Sequence, residues 1–310
     1  MWMNSMKFSV VIPVYNSEKS LEELYARLRS VFKGMGNDFE VIFVNDCSHD
    51  RSYEILEKIY RENINIKIVD FFKNYGQQNA LLCGFGYCEG DYVVTIDDDL
   101  QNPPEEIPKL YEKLAEGYDA VFGCYRDKKD KSYKNFGSYL IRKINHNVFN
   151  IKDDLKFSSF RVIRKEVVDQ IKNTRTIYPY ISGMLMSVTS KVANVYIQHE
   201  KRKYGESNYT LGKLISLSYN LIINYSSLPL KAISVLGLAV SCLSFLVGMI
   251  FVVKKLLLGQ APAGWTSLIV LMSLFNSIIL VILFVFGEYL SRILKEVSGH
   301  KQFTVKEVLK

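Results

Sequence analysis

Asp91-Tyr-Val-Val-Thr-Ile-Asp97-Asp98-Asp99-Leu-Gln101-Asn-Pro103-Pro104-Glu105-Glu106 is the stretch on which the reading of this chain turns. Tyr92 to Ile96 is an apolar run of strand length, and the two prolines suit the opening positions of a helix. Three aspartates therefore stand where a buried strand ends. Two carboxylates about 5 Å apart repel by roughly 3 kcal/mol at an effective dielectric of about 20, and a cation turns that repulsion into a binding site. In open α/β sheets the carboxyl edge of the strands is where ligands bind. Hard oxygen donors there favour Mg²⁺ or Mn²⁺, shared with a substrate phosphate. The plain alternative is a solvated acidic turn.

The pattern on either side is that of an α/β protein. Phe8 to Val14 is apolar, and Leu21, Leu24, Leu28 and Val31 follow at helical spacing behind Ser17, a candidate N-cap. Further strands are expected at 40–44, 66–71, 92–96 and 120–123, with helices at 52–60, 77–88 and 105–116. Strand and helix in alternation predict a mostly parallel sheet covered on both faces. Beyond Gly123, Tyr133, Phe136, Leu140, Ile144 and Val148 recur at spacings of three and four, with Arg142 and Lys143 off that stripe. The segment at about 133–150 reads as an amphipathic helix on a membrane surface, or as a core-facing helix. Strands at 157–163 and 192–198 flank a helix beginning at Lys165.

Apolar residues concentrate toward the C-terminus. Residues 232–253 and 265–287 carry no charge, and at 1.5 Å per residue each reaches about 33 Å, enough to cross a bilayer core of about 30 Å. Lys231, Lys254, Lys255, Glu288 and Arg292 bracket them. Residues 209–230 carry Lys213, Asn220 and Asn224 and read as an interfacial helix, not a third span. Phe8 to Val14 is short, contains Pro13 and lacks a small-residue cleavage site, so no signal peptide is expected. Two crossings return residues 291–310, with Arg292, Lys295, Lys301, Lys306 and Lys310, to the cytoplasmic side of the inner membrane. Small residues Gly237 and Gly248 suit close helix packing, within one chain or between copies.

Other classes are disfavoured. The five cysteines form no C-x-x-C pair and are odd in number, which indicates neither a disulfide framework nor zinc. No P-loop is present, and Gly84-Phe-Gly86 lies inside an expected helix instead of opening one, against a dinucleotide fold. A net charge of +7, with clusters at 128–134, 142–143 and 201–203, suits anionic headgroups or phosphates. No nucleic-acid recognition motif accompanies it.

Five ordered segments carry a resemblance: Val10-Val-Ile-Pro13-Val-Tyr15-Asn16, Val44-Asn-Asp46-Cys-Ser48-His-Asp50, Asn74-Tyr-Gly-Gln77, Asp97-Asp-Asp-Leu-Gln-Asn-Pro-Pro-Glu105 and Arg202-Lys-Tyr-Gly-Glu-Ser207-Asn-Tyr209. With Gly287-Glu-Tyr289, they resemble family 2 glycosyltransferases of GT-A fold, in the branch that transfers one sugar to polyprenyl phosphate. That branch includes dolichol-phosphate mannose synthases, bactoprenol glucosyltransferases and undecaprenyl-phosphate 4-deoxy-4-formamido-L-arabinose transferases. The resemblance implies a GT-A domain over 1–208 and a multi-pass inner-membrane enzyme. It implies a metal-dependent, inverting transfer of a hexosyl or pentosyl group from a nucleotide sugar, UDP-sugar favoured, to undecaprenyl or another polyprenyl phosphate for the cell envelope.

By the same resemblance Pro13, Tyr15, Asn16, Asp46, Ser48, Asn74 and Asp98 meet the nucleotide sugar. Asp97, Asp99 and Gln101 hold Mg²⁺ or Mn²⁺. Arg126, Arg202, Lys203 and Ser207 meet the acceptor phosphate, and Asp97, Asp99, Arg126 and Arg202 form the catalytic set. Guanidinium forks suit phosphate oxygens. Three positions depart from the family's pattern: Asn45 for a frequent Asp, Ser17 for Glu, and Asn208 for Lys. Further expected partners are a second copy, a flippase or a downstream glycosyltransferase. A soluble nucleotidyltransferase would share the acidic strand end, and two further rivals stand beside it. One is a processive synthase, whose Gln-x-x-Arg-Trp is missing here; the other is a catalytically silent scaffold that partners a flippase.

Overall fold

The computed structural model describes residues 6–125, 155–198, 200, 203, 223, 228–258, 264–298 and 301–310, in two units: residues 1–210 with 301–310, and residues 211–300. The first unit is built on β1 (Lys7–Val14), α1 (Leu21–Met35), β2 (Asp38–Asn45), α2 (Ser52–Glu62), β3 (Ile66–Phe71), α3 (Gln77–Phe85) and β4 (Tyr92–Thr95). A 3₁₀ turn, Pro104–Glu106, then leads into α4 (Ile107–Ala115), β5 (Ala120–Cys124), β6 (Arg161–Arg164), α5 (Lys165–Ile171), α6 (Ile181–Val188), β7 (Val192–Tyr196) and finally β8 (Val305–Leu309).

The eight strands form one sheet in the order β7-β5-β6-β4-β1-β2-β3-β8. Its central β3-β2-β1-β4 block is parallel, whereas β6 runs antiparallel to β4 and β5, and β8 antiparallel to β3. Such an α/β sheet is as expected from the alternation of strand and helix. Its central strands send apolar residues to both faces because both are covered: Val10 and Ile12 belong to one core with Leu24, Leu28 and Phe32, and Val11 to another with Leu81, Leu82 and Phe85. Gly84 lets α3 lie against β1, since a Cβ there would stand 2.4 Å from Val11 Cγ1. Pro13 is tolerated in a central strand because β4 ends at Thr95, opposite Val11.

Several boundaries differ from expectation. The helix-capping position of α1 is Ser20, not Ser17, whose hydroxyl is drawn to Asp98 instead. The expected strand at 157–163 shortens to β6, because Ser158 and Ser159 turn their hydroxyls to Phe160 O and Asp97. The expected tail at 291–310 divides. Its first part continues a long helix, and residues 305–309 form β8, with polar residues alternating on an edge strand in place of the apolar run that marks a buried one.

The second unit holds α7 (Leu228–Leu258, 31 residues) and α8 (Trp265–Val297, 33 residues), about 46 and 50 Å long. Windows at Pro229–Val247 and Leu274–Val297 are apolar and long enough to cross a bilayer. Their large side chains face outward, with Leu238 67%, Phe245 67%, Leu280 66% and Phe284 66% exposed. A helix that is apolar all round and uncovered belongs in lipid, which fits membrane association. A Cβ at Gly237 would lie 3.3 Å from Ile282 Cδ1, so the two helices approach closely there. The expected amphipathic helix at 133–150 and most of the interfacial segment at 209–230 lie outside the described residues.

Candidate active site at the carboxyl edge of the sheet

In a parallel sheet the loops after successive strands open at one edge, and here β1, β2, β3 and β4 bring Tyr15–Asn16, Asp46–Ser48, Asn74 and Asp97–Gln101 to it. Local backbone marks the same edge. Asn16, Cys47 and Leu100 have φ of 54°, 58° and 61°, and they are the non-glycine residues with positive φ among those described. Each follows a strand end, and strain of this kind gathers at functional sites.

The first two loops are tied together. Asn16 N–H donates to Ser48 Oγ at 3.0 Å, and His49 N–H donates to Asn16 Oδ1 at 2.8 Å. Asp46, 3% exposed, accepts Tyr75 N–H at 2.6 Å and Gly76 N–H at 2.8 Å, so its carboxylate fixes the start of α3. Gly76 takes φ of 87° there, a conformation that suits glycine. Burial pushes the Asp46 carboxyl above its ordinary range, opposed by those two amides. Tyr15 is 43% exposed beside His49, an open aromatic face at the mouth of the site.

The triplet splits into separate duties. Asp97 Oδ1 accepts Gln77 Nε2 at 2.5 Å and Oδ2 accepts Ser159 Oγ at 2.5 Å. Asp99 Oδ1 accepts Gln101 N–H at 3.1 Å, folding the turn back on itself. Asp98 turns the other way, accepting Tyr15 N–H at 3.1 Å and Ser17 Oγ, so its carboxylate is committed to the β1 loop. Burial, with the neighbouring Asp97 and Asp99, pushes the Asp98 carboxyl up to about 7 against those two bonds.

Behind the triplet lies Arg161, 1% exposed, whose Nε donates to Thr95 Oγ1 at 3.0 Å and Nη1 to Ser182 Oγ at 3.2 Å. Thr95 in turn donates to Ser159 O, completing a chain from Arg161 to Asp97. Burial pulls the guanidinium down to about 10, and Tyr180 and Asp97 resist that fall. Gln77, Ser159 and Arg161 escaped the sequence reading of the site because each is distant from the triplet in sequence. Only Gln77 lay within a quoted segment.

Among the described residues no set of three His, Cys, Asp or Glu side chains converges on one point. Mg²⁺ and Mn²⁺ are commonly bound through one or two carboxylates, with the remaining positions left to substrate phosphate and water. Asp97 and Asp99 are all-oxygen donors of that kind. Of the expected acceptor residues, Lys203 pairs with Glu23 of α1 at 2.8 Å, while Arg126, Arg202 and Ser207 lie outside the described residues, as does Asn208. Glu200 N–H donates to Gln101 O at 3.0 Å, and its carboxylate meets Arg27, which also grips Glu105. Glu200 therefore sits against the triplet loop.

Asn45 explains its own departure from the family pattern. Its Nδ2 donates to buried Asp70 at 2.7 Å and its Oδ1 accepts Ser48 N–H at 3.3 Å. An aspartate in its place would set a second carboxylate against Asp70.

Comparison with known proteins agrees with this geometry. The profile of glycosyl transferase family 2 matches residues 9–172. An uncharacterized glycosyltransferase, YkcC of Bacillus subtilis, is 35% identical over 97% of this chain and 94% of its own length. An undecaprenyl-phosphate 4-deoxy-4-formamido-L-arabinose transferase of Edwardsiella ictaluri is 33% identical over the same shares, 97% and 94%. Among solved structures, glucosyl-3-phosphoglycerate synthase of Mycobacterium tuberculosis, in complex with Mn²⁺, UDP and phosphoglyceric acid, superposes with a TM-score of 0.53. It is 21% identical and covers 70% of this chain and 76% of that one, a likeness of fold. With its carboxyl-edge aspartates on a GT-A-like sheet and full-length relatives above 30% identity, the chain belongs to glycosyl transferase family 2.

Proposed function

We propose that this protein is a membrane-bound, metal-dependent, inverting glycosyltransferase that moves one sugar from a nucleotide sugar to polyprenyl phosphate. The observation that carries the reading is the meeting of Asp97 and Asp99 with the Tyr15, Asp46 and Ser48 loops at one sheet edge, in a chain that also carries two outward-facing apolar helices. A lipid acceptor gives those helices a purpose. Relatives that act on undecaprenyl phosphate support the same choice.

The nucleotide would lie across the β1 and β2 loops, with the Tyr15 ring offering a stacking face and the diphosphate directed at Asp97 and Asp99. A divalent cation held by these two carboxylates would supply positive charge against that developing on the departing nucleoside diphosphate. The acceptor phosphate has its second pKa near 6, so at neutral pH its oxygen is already a nucleophile. It attacks the anomeric carbon as the bond to the diphosphate breaks, inverting configuration without a general base. Gln77 and Ser159 hold Asp97 in place during this exchange, and Arg126 and Arg202 would receive phosphate oxygens.

The pairing of β8 with β3 supports two crossings, by α7 and α8. A strand shared with the catalytic sheet must stand on that sheet's side of the bilayer, so an even number of spans separates them. Arg292, Lys295 and Lys301, which follow the second apolar stretch, favour the cytoplasmic face by the positive-inside rule.

The test is transfer of radiolabelled sugar from a panel of UDP- and GDP-sugars to undecaprenyl phosphate in detergent, with Mg²⁺ or Mn²⁺. Product from one donor, lost with chelator and in Asp99→Asn, is the expected result. A folded protein that neither transfers from any donor nor binds a nucleoside diphosphate would sink the reading.

A further inference from the structure

The last ten residues of the chain do more than extend the sheet. β8 lies against β3, with Leu309 opposite Ile68 and Val305 opposite Phe71. Phe303 stacks on Phe71 at 5.4 Å, and Tyr53 and Tyr60 donate to Glu307 and to the Lys310 carbonyl. Two lines of contact then leave this frame and run toward the β2 loop.

The first begins at Lys306, whose Nζ lies 3.0 Å from Asp70 Oδ2. Asp70 is 4% exposed, and its other oxygen accepts Asn45 Nδ2 at 2.7 Å. Asn45 Oδ1 takes the Ser48 N–H, and Ser48 Oγ takes the Asn16 N–H. The second line begins at Thr304, whose carbonyl accepts Phe72 N–H at 3.2 Å. The Phe72 carbonyl then accepts Cys47 Sγ at 3.7 Å, at one of the positive-φ positions. Both lines end on residues 45–48.

We infer that Lys306 is a positioning residue for the donor nucleotide, acting through Asp70 and Asn45 on the Asp46–Ser48 loop. The physical reason is the state of Asp70. A buried carboxylate must be paired, and the Lys306 ammonium is its cationic partner among the described residues, with the Asn45 amide on the other oxygen. Without the ammonium, Asp70 recruits water or a proton and no longer dictates the orientation of the Asn45 amide. The loop, held in a strained conformation at Cys47, then relaxes away from its binding geometry. The inference rests on the reading that this loop receives the nucleotide.

Lys306→Met tests it in the full-length protein in detergent, because Lys306 is half exposed and its loss leaves the sheet paired. The expected result is a donor KM raised about five- to tenfold with kcat nearly unchanged, the scale of one ordinary hydrogen bond transmitted to the loop. Calorimetry with UDP or GDP and Mn²⁺ should show the same factor in affinity. Lys306→Arg keeps charge and reach and should restore the wild-type KM, while Glu307→Gln, on the same strand, should leave it unaltered. Wild-type protein that binds no nucleotide overturns the functional reading itself. Wild-type binding with equal KM and affinity in Lys306→Met, even with a lowered melting temperature, overturns the positioning role alone.

Discussion

Glu40 opens the buried part of β2 at the amino end of the strands, away from the aspartates, and its carboxylate is the hub of a network. Oε1 accepts Ser9 Oγ at 2.6 Å and Glu89 N–H at 2.7 Å; Oε2 lies 2.9 Å from Lys67 Nζ and 3.5 Å from Lys7 Nζ. Burial by itself raises the Glu40 pKa, but the bonds from Ser9, the Glu89 amide and Lys67 outweigh it and hold the carboxyl below its ordinary range. Glu40→Gln keeps the shape and the Oε1 acceptor while turning an amide donor toward two ammonium groups. Breaking a buried pair costs about 3–5 kcal/mol. Lys67 keeps Glu89 and Tyr87 O, so the expected loss is about 2–3 kcal/mol. For a unit of this size that lowers the melting temperature by about 5–10 °C. The assay is thermal unfolding in detergent followed with a thiol-reactive dye, since burial pushes Cys83 and Cys88 up to about 12 and keeps them inert until the sheet opens. A depressed carboxyl contributes stability above its unfolded pKa of about 4.5 and loses it as pH falls through the lower folded value. The gap between wild type and variant should therefore be full at pH 7 and narrow as pH falls below about 4.5. Sugar transfer at 20 °C should be unchanged. A melting temperature within 2 °C of wild type, or a gap that persists in acid, would refute the reasoning.

Two further outcomes follow from packing and from buried charge. Gly84→Ala drives a Cβ to within 2.4 Å of Val11 Cγ1 and should cost about 1–3 kcal/mol, read as a lower melting temperature. Arg161→Met removes a guanidinium that burial holds at about 10, a penalty on the order of 3 kcal/mol for keeping it charged. Its lost bonds to Thr95 and Ser182 offset that relief, so stability should stay within about 1 kcal/mol of wild type. Transfer should nevertheless fall about tenfold, one charge-assisted bond's worth, as the Thr95–Ser159 chain to Asp97 loosens. A parallel fall in melting temperature and rate would contradict this.

The central sheet was legible because its strands are short apolar runs punctuated by helices with clear periodicity, as in Ile66–Phe71, where the expected and observed limits coincide. The triplet was legible because its chemistry is local. What the sequence hid depends on distant partners. Ser17 resembles an N-cap until Asp98 draws its hydroxyl away, and nothing near Arg161 announces that it will be buried behind Asp97. β8 escaped notice for a different reason. Val-Lys-Glu-Val-Leu alternates weakly, and an edge strand joined to a sheet whose other members were made far earlier in the chain leaves no periodic mark.

That late arrival bears on how the protein is made. β3 emerges early in synthesis, and β8 follows only after both long helices. Until then the β3 edge presents unpaired amides and carbonyls, a template for any extended chain nearby. Synthesis of α7 and α8 thus becomes a prerequisite for sealing the sheet. On the proposed two-span topology, a misinserted molecule with β8 stranded across the bilayer would keep an open edge by which quality-control proteases could distinguish it.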